Sequence, residues 1–304
     1  MSDICRLRFE LRDGSVQLIE KTVKLRLYKD RYSAAAVLSG RAVWDGQVGD
    51  VLGITLAADG HTVHRGYAEY IVSEQKNGRT EVSFSSPGWS RLLAQNEPVP
   101  GLNYDVTLET LIQTNVRIPY VTCETGTQQV NYVYVKEHST IWDAITAYSR
   151  KAYGTFPYIK GTNEVTVQVP AGAIRAYGPS DIIGFGTAVD RRTALSKAYM
   201  ADIDDQYSYW AENPQAAADR LVRERYFPLD RQWLDAPDEG PAIRVDLSKR
   251  RYSVSYVRLA GYRREELFDN FSAFSSGRSL AGRIGGVEVI FEKGRAVTTL
   301  YVMD

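Results

Sequence analysis

Histidine is scarce in this chain: His61, His64 and His138 are the only three in 304 residues. A metal or general-base site built on histidine has little to draw on. His61 and His64 stand in H-x-x-H spacing, which on a helix could clasp a metal. Here the spacing follows the Asp59-Gly60 turn into an expected strand, where residues three apart point to opposite faces. A third ligand is missing as well, and His138, just before an expected helix, reads as an exposed loop residue. Cysteine is rarer still. Cys5 and Cys123 lie far apart and give no disulfide framework, so reduced thiols in a cytoplasm are expected. Charge of one sign is also lacking, with 37 basic and 37 acidic side chains. Phosphate neutralisation needs a basic excess, so no nucleic-acid specificity is expected. No apolar run is long enough to span a bilayer. Met1 to Arg12 alternates charged with apolar residues and lacks the apolar segment of a signal peptide. A soluble chain, made in a cytoplasm and without membrane insertion, is expected.

The usual catalytic motifs are missing too. Gly184-Phe185-Gly186 begins a G-x-G, but Val189 stands where a third glycine belongs and no helix is expected after it. No phosphate-cradling G-x-x-x-x-G-K-[ST] and no G-x-S-x-G elbow occurs. Asp202, Asp204, Asp205, Glu265 and Glu266 offer carboxylates from which a glycosidase pair could be drawn; the preferred reading is a solvated charged edge that protects a sheet from unwanted pairing. No catalytic, cofactor-binding or metal-binding residue is assigned, and the chain reads as a non-enzyme.

What is present is β-structure. Apolar residues make up 44% and charged residues 24%, enough for a substantial core, and the length suits two or three domains. Tyrosine is abundant, with 20 residues against 9 phenylalanines, and recurs in strand-like stretches such as Tyr132, Tyr134 and Tyr252, Tyr256. Tyrosine suits strands, and it suits interfaces where the ring is buried and the hydroxyl paired. The tryptophans, Trp44, Trp89, Trp142, Trp210 and Trp233, are spread along the chain as core or interface anchors.

Residues 1–100 predict an antiparallel barrel or sandwich. Leu7, Phe9 and Leu11 alternate with Arg6, Arg8, Glu10 and Arg12, and Asp13-Gly14 turns the chain. Val23, Leu25 and Leu27 alternate in the same way with Lys24 and Arg26. Further strands are expected over Ala34 to Leu38, Val51 to Leu56, Val63 to Val72 and Thr80 to Ser85, with Asp59-Gly60 and Asn77-Gly78 as turns. Pro98 and Pro100 mark a boundary. Residues 101–170 predict a small α+β unit. Thr107 caps a short helix ending near Asn115, and Val130 to Val135 is a strand. Thr140 then caps a second helix in a capping box with Asp143. Ile141, Ile145, Tyr148 and Ala152 form its apolar stripe, and Gly154 ends it. Strands Phe156 to Ile159 and Glu164 to Val169 close the unit. Residues 171–304 return to strands. Asn213-Pro214 opens an expected helix to about Tyr226 that buries Ala217, Leu221 and Val222. Tyr252 to Leu259 is a strand, Phe271 to Gly286 reads as a long loop, and Val287 to Phe291 with Val297 to Val302 is the closing hairpin.

The order of these blocks resembles a known family. Gly49-Asp50-Val51-Leu52-Gly53-Ile54-Thr55-Leu56, then Asp59-Gly60, then Arg65-Gly66-Tyr67-Ala68-Glu69-Tyr70-Ile71 resembles a hairpin of the phage contractile-tail baseplate hub proteins, the late control gene D-like family. Ser85 to Leu93 resembles the exit from that family's first barrel. Val106-Thr107-Leu108-Glu109-Thr110-Leu111-Ile112 resembles the helix that opens its second domain. Val135 to Val167, around Thr140-Ile141-Trp142-Asp143-Ala144-Ile145, is similar to its LysM-like helix-hairpin. Glu137-His138-Ser139-Thr140 replaces the usual Gly-Glu-Thr, and Lys160-Gly161-Thr162-Asn163 departs from the common Asp-Gly turn. The resemblance implies a mainly β fold with two barrel-like, tube-like β domains flanking a small LysM-like α+β domain, with one helix inserted in the second. It further implies a structural hub: a homotrimer that adapts the six-fold tail tube to the three-fold spike. Its implied partners are a tail tube or distal tube-initiator protein, the spike protein, other baseplate proteins and the tape measure protein. Its implied location is the virion tail baseplate, assembled in a bacterial host cytoplasm. Two alternatives are a tail-associated protein that binds or hydrolyses peptidoglycan, and a carbohydrate-binding or adhesion module.

Overall fold

A computed structural model describes residues 5–76, 78–115, 117–250 and 252–303; Asn77 of the expected Asn77-Gly78 turn lies outside them, as do Met1 to Ile4. Strand makes up 48% and helix 17%, so the molecule is mainly β. The first segment holds β1 (Cys5–Leu11), β2 (Val16–Ile19), β3 (Lys21–Asp30), β4 (Val37–Val43), β5 (Val51–Ala58), β6 (His61–Tyr67), β7 (Tyr70–Lys76) and β8 (Arg79–Pro87). Asp59 and Gly60 both take positive φ, 47° and 78°, between β5 and β6, the geometry that a tight hairpin demands. The stretch from Val63 to Val72, expected as one strand, breaks at Ala68-Glu69. The chain there leaves the sheet β2-β1-β5-β6 for a second sheet. The strand expected at Ala34 begins only at Val37, though Ala34, Ala35 and Ala36 are buried.

The middle segment holds β9 (Gly101–Val106), α1 (Leu108–Asn115), β10 (Thr122–Cys123), β11 (Val130–Val135), α2 (Ile141–Tyr153), β12 (Tyr158–Lys160) and β13 (Glu164–Thr166). α2 forms as its sequence dictates. Thr140 and Asp143 cap each other reciprocally, Ile141, Ile145 and Tyr148 are buried, and Gly154 ends the helix at φ 67°. These side chains share a core with Val106, Leu108, Val133 and Val165. Asn163, in the β12–β13 turn, pins this unit to the first segment. Its carbonyl oxygen accepts from Ser90 N (3.1 Å), and its amide donates to Arg65 O (2.9 Å).

The third segment holds β14 (Ile174–Tyr177), β15 (Ile182–Val189), β16 (Lys197–Met200), β17 (Tyr209–Glu212), α3 (Pro214–Ala218), β18 (Glu224–Phe227), α4 (Glu239–Lys249), β19 (Ser253–Ala260), β20 (Asn270–Ser275), β21 (Arg278–Glu292) and β22 (Arg295–Val302). Two expectations fail here. The helix from Asn213 stops after one turn: Asn213 caps Ala216 N, but Arg220 turns to φ 57°, and Glu224–Phe227 pairs as a strand with β16. Of the three residues expected to be buried, Ala217 is exposed, Leu221 half-buried and Val222 84% exposed, so there is no apolar face to hold a longer helix. The expected loop Phe271 to Gly286 is instead a hairpin, β20 and the long β21, turned at Ser276-Gly277 with φ 51° and 75°. Ser272, Ser276, Gly277 and Ser279 are exposed, while Phe271 and Ala273 alternate into the core. Gly285 and Gly286 are buried against Met303, where a Cβ would lie 2.4 and 2.8 Å from its side chain. α4 is unforeseen, because Gly240 and Pro241 hide it. Pro241 sits in the first turn, where a missing N–H costs nothing, and a Cβ at Gly240 would meet Met200 Sδ at 2.5 Å.

The first and third segments share one sheet. Its main path runs β15-β19-β22-β21-β3-β4-β8-β7, and the join is the antiparallel pair β21–β3, with Leu27 opposite Val289 and Leu25 opposite Phe291. One hydrophobic core lies beneath it, from Leu7, Phe9 and Ile54 across to Val257, Val289 and Leu300. The middle segment has its own core.

Candidate assembly surface

The main sheet path contains eight strands and ends in two open edges, β15 and β7. β15 reads Ile-Ile-Gly-Phe-Gly-Thr-Ala-Val, without a charge or a proline. Among the described residues it pairs with β19 alone. Ile183 is 52% and Val189 49% exposed. Monomeric proteins blunt such edges with lysine, proline or bulges, since unpaired backbone groups recruit other strands. β15 has one register shift, between Ile182 and Gly184, and pairs regularly with β19 from Gly184 to Val189. Gly186 suits the strand to its neighbour: a Cβ there would lie 2.3 Å from the Tyr256 ring on β19, whereas one at Gly184 would meet nothing within 4 Å. At the opposite edge, Tyr70 and Val72 of β7 are exposed beside Glu74.

The sheet's two faces differ. One covers the shared core. The other carries Lys24, Arg26, Arg41 and Arg258, which alternate with buried residues of β3, β4 and β19, beside Glu74, Glu81, Glu288 and Glu292. Many of these charges cancel locally. Arg26 donates to Glu288, Tyr301 OH donates to the same carboxylate at 3.2 Å, and Lys24 lies 3.7 Å from Glu292. Tyr28, Tyr301 and Tyr256 add an aromatic row, with centroids 6.4 and 5.7 Å apart. Exposed pairs of this kind add little stability; their effect is a polar surface with little net field.

The residues weighed for chemistry are scattered. His61 is exposed, whereas His64 is 1% exposed and hydrogen-bonded to Ser86 Oγ at 3.0 Å. Among the described residues, no three His, Cys, Asp or Glu side chains group as metal ligands. His138 is 87% exposed at its side chain, near Glu97. Glu265 is buried and accepts from Tyr177 OH (3.2 Å) and Arg263 N (2.9 Å), while Glu266 pairs with Lys29 at 2.6 Å. Asp202, Asp204 and Asp205 lie apart from these, in the loop between β16 and β17. Gly184-Phe185-Gly186 is part of the β15 edge. Trp44 and Trp233 are core residues, and Trp210 is 52% exposed beneath Lys197. Among the described residues, no helix is long and apolar enough to cross a membrane. The edge itself went unread in the sequence, although the uncharged run Ile182 to Val189 was its signal.

Burial holds the His64 imidazole neutral, lowering its pKa from 6.5 to about 3. The unfolded chain binds a proton that the folded chain refuses. The residue's contribution is therefore complete above pH 6.5 and is lost as the pH falls toward 3. Between pH 7 and pH 5 this amounts to about 2 kcal/mol. Urea unfolding of the native chain and of His64→Gln at both pH values checks it: the variant is expected to lose that part of the pH slope, and an unchanged slope contradicts the assignment.

No protein-family model and no curated protein matches the sequence. Solved structures do match the fold. A tail protein from Neisseria meningitidis MC58 is 13% identical, with a TM-score of 0.70 over 99% of this chain and 96% of that one. The 43 kDa tail protein of prophage MuSo2 from Shewanella oneidensis is 9% identical, also with a TM-score of 0.70 and coverage of 99% and 96%. An Escherichia coli component of the type VI secretion system, described as structurally similar to T4 bacteriophage tail proteins gp27 and gp5, is 8% identical, with a TM-score of 0.55 over 93% of this chain and 74% of that one. The fold is therefore that of phage tail proteins, shared with type VI secretion.

Proposed function

We propose that the chain is a structural, non-catalytic tail hub whose copies close into a three-part ring by pairing β15 of one copy with β7 of the next. The observation that carries this reading is the uncharged, exposed edge strand β15 at the end of a sheet that also ends openly at β7. A head-to-tail contact of this kind uses two different surfaces and forms a ring when its rotation closes. The main path divides at the β21–β3 seam into two four-strand halves, β15-β19-β22-β21 and β3-β4-β8-β7. Three copies then present six such halves, which suits a six-fold tube on one side and a three-fold spike on the other. Three times eight strands is 24; at about 4.8 Å between strands and a tilt of about 40°, such a barrel closes at a backbone diameter of about 48 Å. With the polar face turned inward, the bore is wide, wet and nearly field-free, and binds no nucleic acid or protein in transit tightly. Three domains, 1–100, 101–170 and 171–304, remain our division of the chain, with the middle unit as a LysM-like module outside the ring. The tail tube or its initiator, the spike, other baseplate proteins and the tape measure protein are the proposed partners, in a virion tail assembled in the host cytoplasm. The likeness to tail proteins over nearly the whole chain supports this reading. Sedimentation equilibrium at micromolar concentration is expected to give three times the chain mass, 34.1 kDa each; a monomer at every concentration sinks the reading.

A further inference from the structure

The charges of the chain cancel in total, but not locally. A cleft of about 900 Å³ opens where the three segments meet, lined by Arg31, Arg150, Arg191, Lys249, Arg250 and Arg283 against Asp219 and Asp246. Four of the cations have partners. Arg31 donates to Met303 O (2.9 Å), Arg150 pairs with Glu239 (2.7 Å), Arg191 with Asp219 (2.8 Å) and Lys249 with Asp246 (3.0 Å). Arg250 and Arg283 are exposed and have no acidic partner among the described residues. Phe156, Tyr252 and Phe268 give the cleft an aromatic lining. Asn213, also in its wall, is 2% exposed; its side-chain oxygen accepts from Ala216 N, while its buried amide Nδ2 has no partner. A buried donor left unpaired is costly. The cleft is built for an acceptor-bearing, acidic guest with an apolar part.

The same chain carries such a guest. Between β16 and β17, the Asp202 carboxylate accepts from Asp204 N (2.9 Å), Gln206 N (3.0 Å) and Ser208 Oγ (2.5 Å), and Asp205 takes φ 58°. The loop is thereby fixed before any partner arrives. It leaves the Asp204 and Asp205 carboxylates without partners among the described residues and Ile203 80% exposed. Two unpaired carboxylates and one exposed aliphatic side chain complement two unpaired guanidinium groups and an aromatic lining. The loop does not serve its own cleft. The whole of β17 separates it from Asn213, four residues of strand or about 13 Å.

We infer that the loop at residues 202–208 of one copy seats in the cleft of its neighbour. Ile203 lies against the aromatic lining, Asp204 and Asp205 meet Arg250 and Arg283, and a loop oxygen accepts from the Asn213 amide. This contact rests on the ring reading and adds a second, charge-steered contact to the strand pairing. Sedimentation velocity over a concentration series tests it on the full chain, with circular dichroism as the check of folding. Arg250→Glu with Arg283→Glu, and separately Asp204→Arg with Asp205→Arg, are each expected to weaken association about 10- to 100-fold. The chain carrying all four changes is expected to regain most of it. If neither two-fold variant weakens association, the loop contact is overturned while the ring stands. If both weaken it and the four-fold variant recovers nothing, the pairing is likewise overturned. A native chain that stays monomeric overturns the ring and this contact together.

Discussion

A chain carrying Ile183→Lys and Val189→Lys is expected to fold normally and fail to close a ring. Both side chains are about half exposed, so the change within one copy falls within about 0.5 kcal/mol, as for surface substitutions generally. Between copies the effect is far larger. A strand seated on β15 would have to desolvate two ammonium groups at its edge, the device by which natural sheets refuse extra strands. Trimer is expected to disappear at concentrations where the native chain is fully assembled, a shift of at least 100-fold, on the order of 3 kcal/mol. Sedimentation velocity reads the assembly and thermal melting the fold. An unchanged trimer would remove β15 from the interface.

The second large effect concerns the seam within one copy. Leu25 and Phe291 face each other across β3 and β21, and both are buried. Leu25→Ala or Phe291→Ala is expected to cost about 2–5 kcal/mol. Because the core runs continuously from Phe9 through Phe84 to Val289 and Leu300, the loss is shared by residues on both sides. Hydrogen exchange is expected to show amides of β4 and of β22 losing protection together in either variant. Loss confined to the mutated segment would mean that the two halves are energetically separate.

The seam also shows where sequence reading stopped. Alternation of Leu7, Phe9 and Leu11, the Asp59-Gly60 turn, and the Thr140–Asp143 box are local signals, and the structure follows each. Nothing local says that Arg26 will meet Glu288, 262 residues away; alternation marks a strand as half-buried but does not name its neighbour. The reading of Phe271 to Gly286 went astray for a related reason. Serine and glycine mark turns when isolated, but on β21 Ser279 takes an exposed position and Gly285 and Gly286 lie buried where the Met303 side chain leaves no room for a Cβ. Asn213-Pro214 predicted where a helix starts, and the chain beyond it lacked the apolar face needed to sustain one. The open edge was legible only as an absence, the run Ile182 to Val189 without a charge or a proline.

Imaging of an assembled particle at side-chain resolution tests the edge pairing directly. The expected density holds three copies around the axis, each with Ile182–Val189 hydrogen-bonded to Tyr70–Lys76 of the next in an unbroken barrel. A map in which β15 faces solvent, or in which a single copy occupies the axis, would contradict the ring.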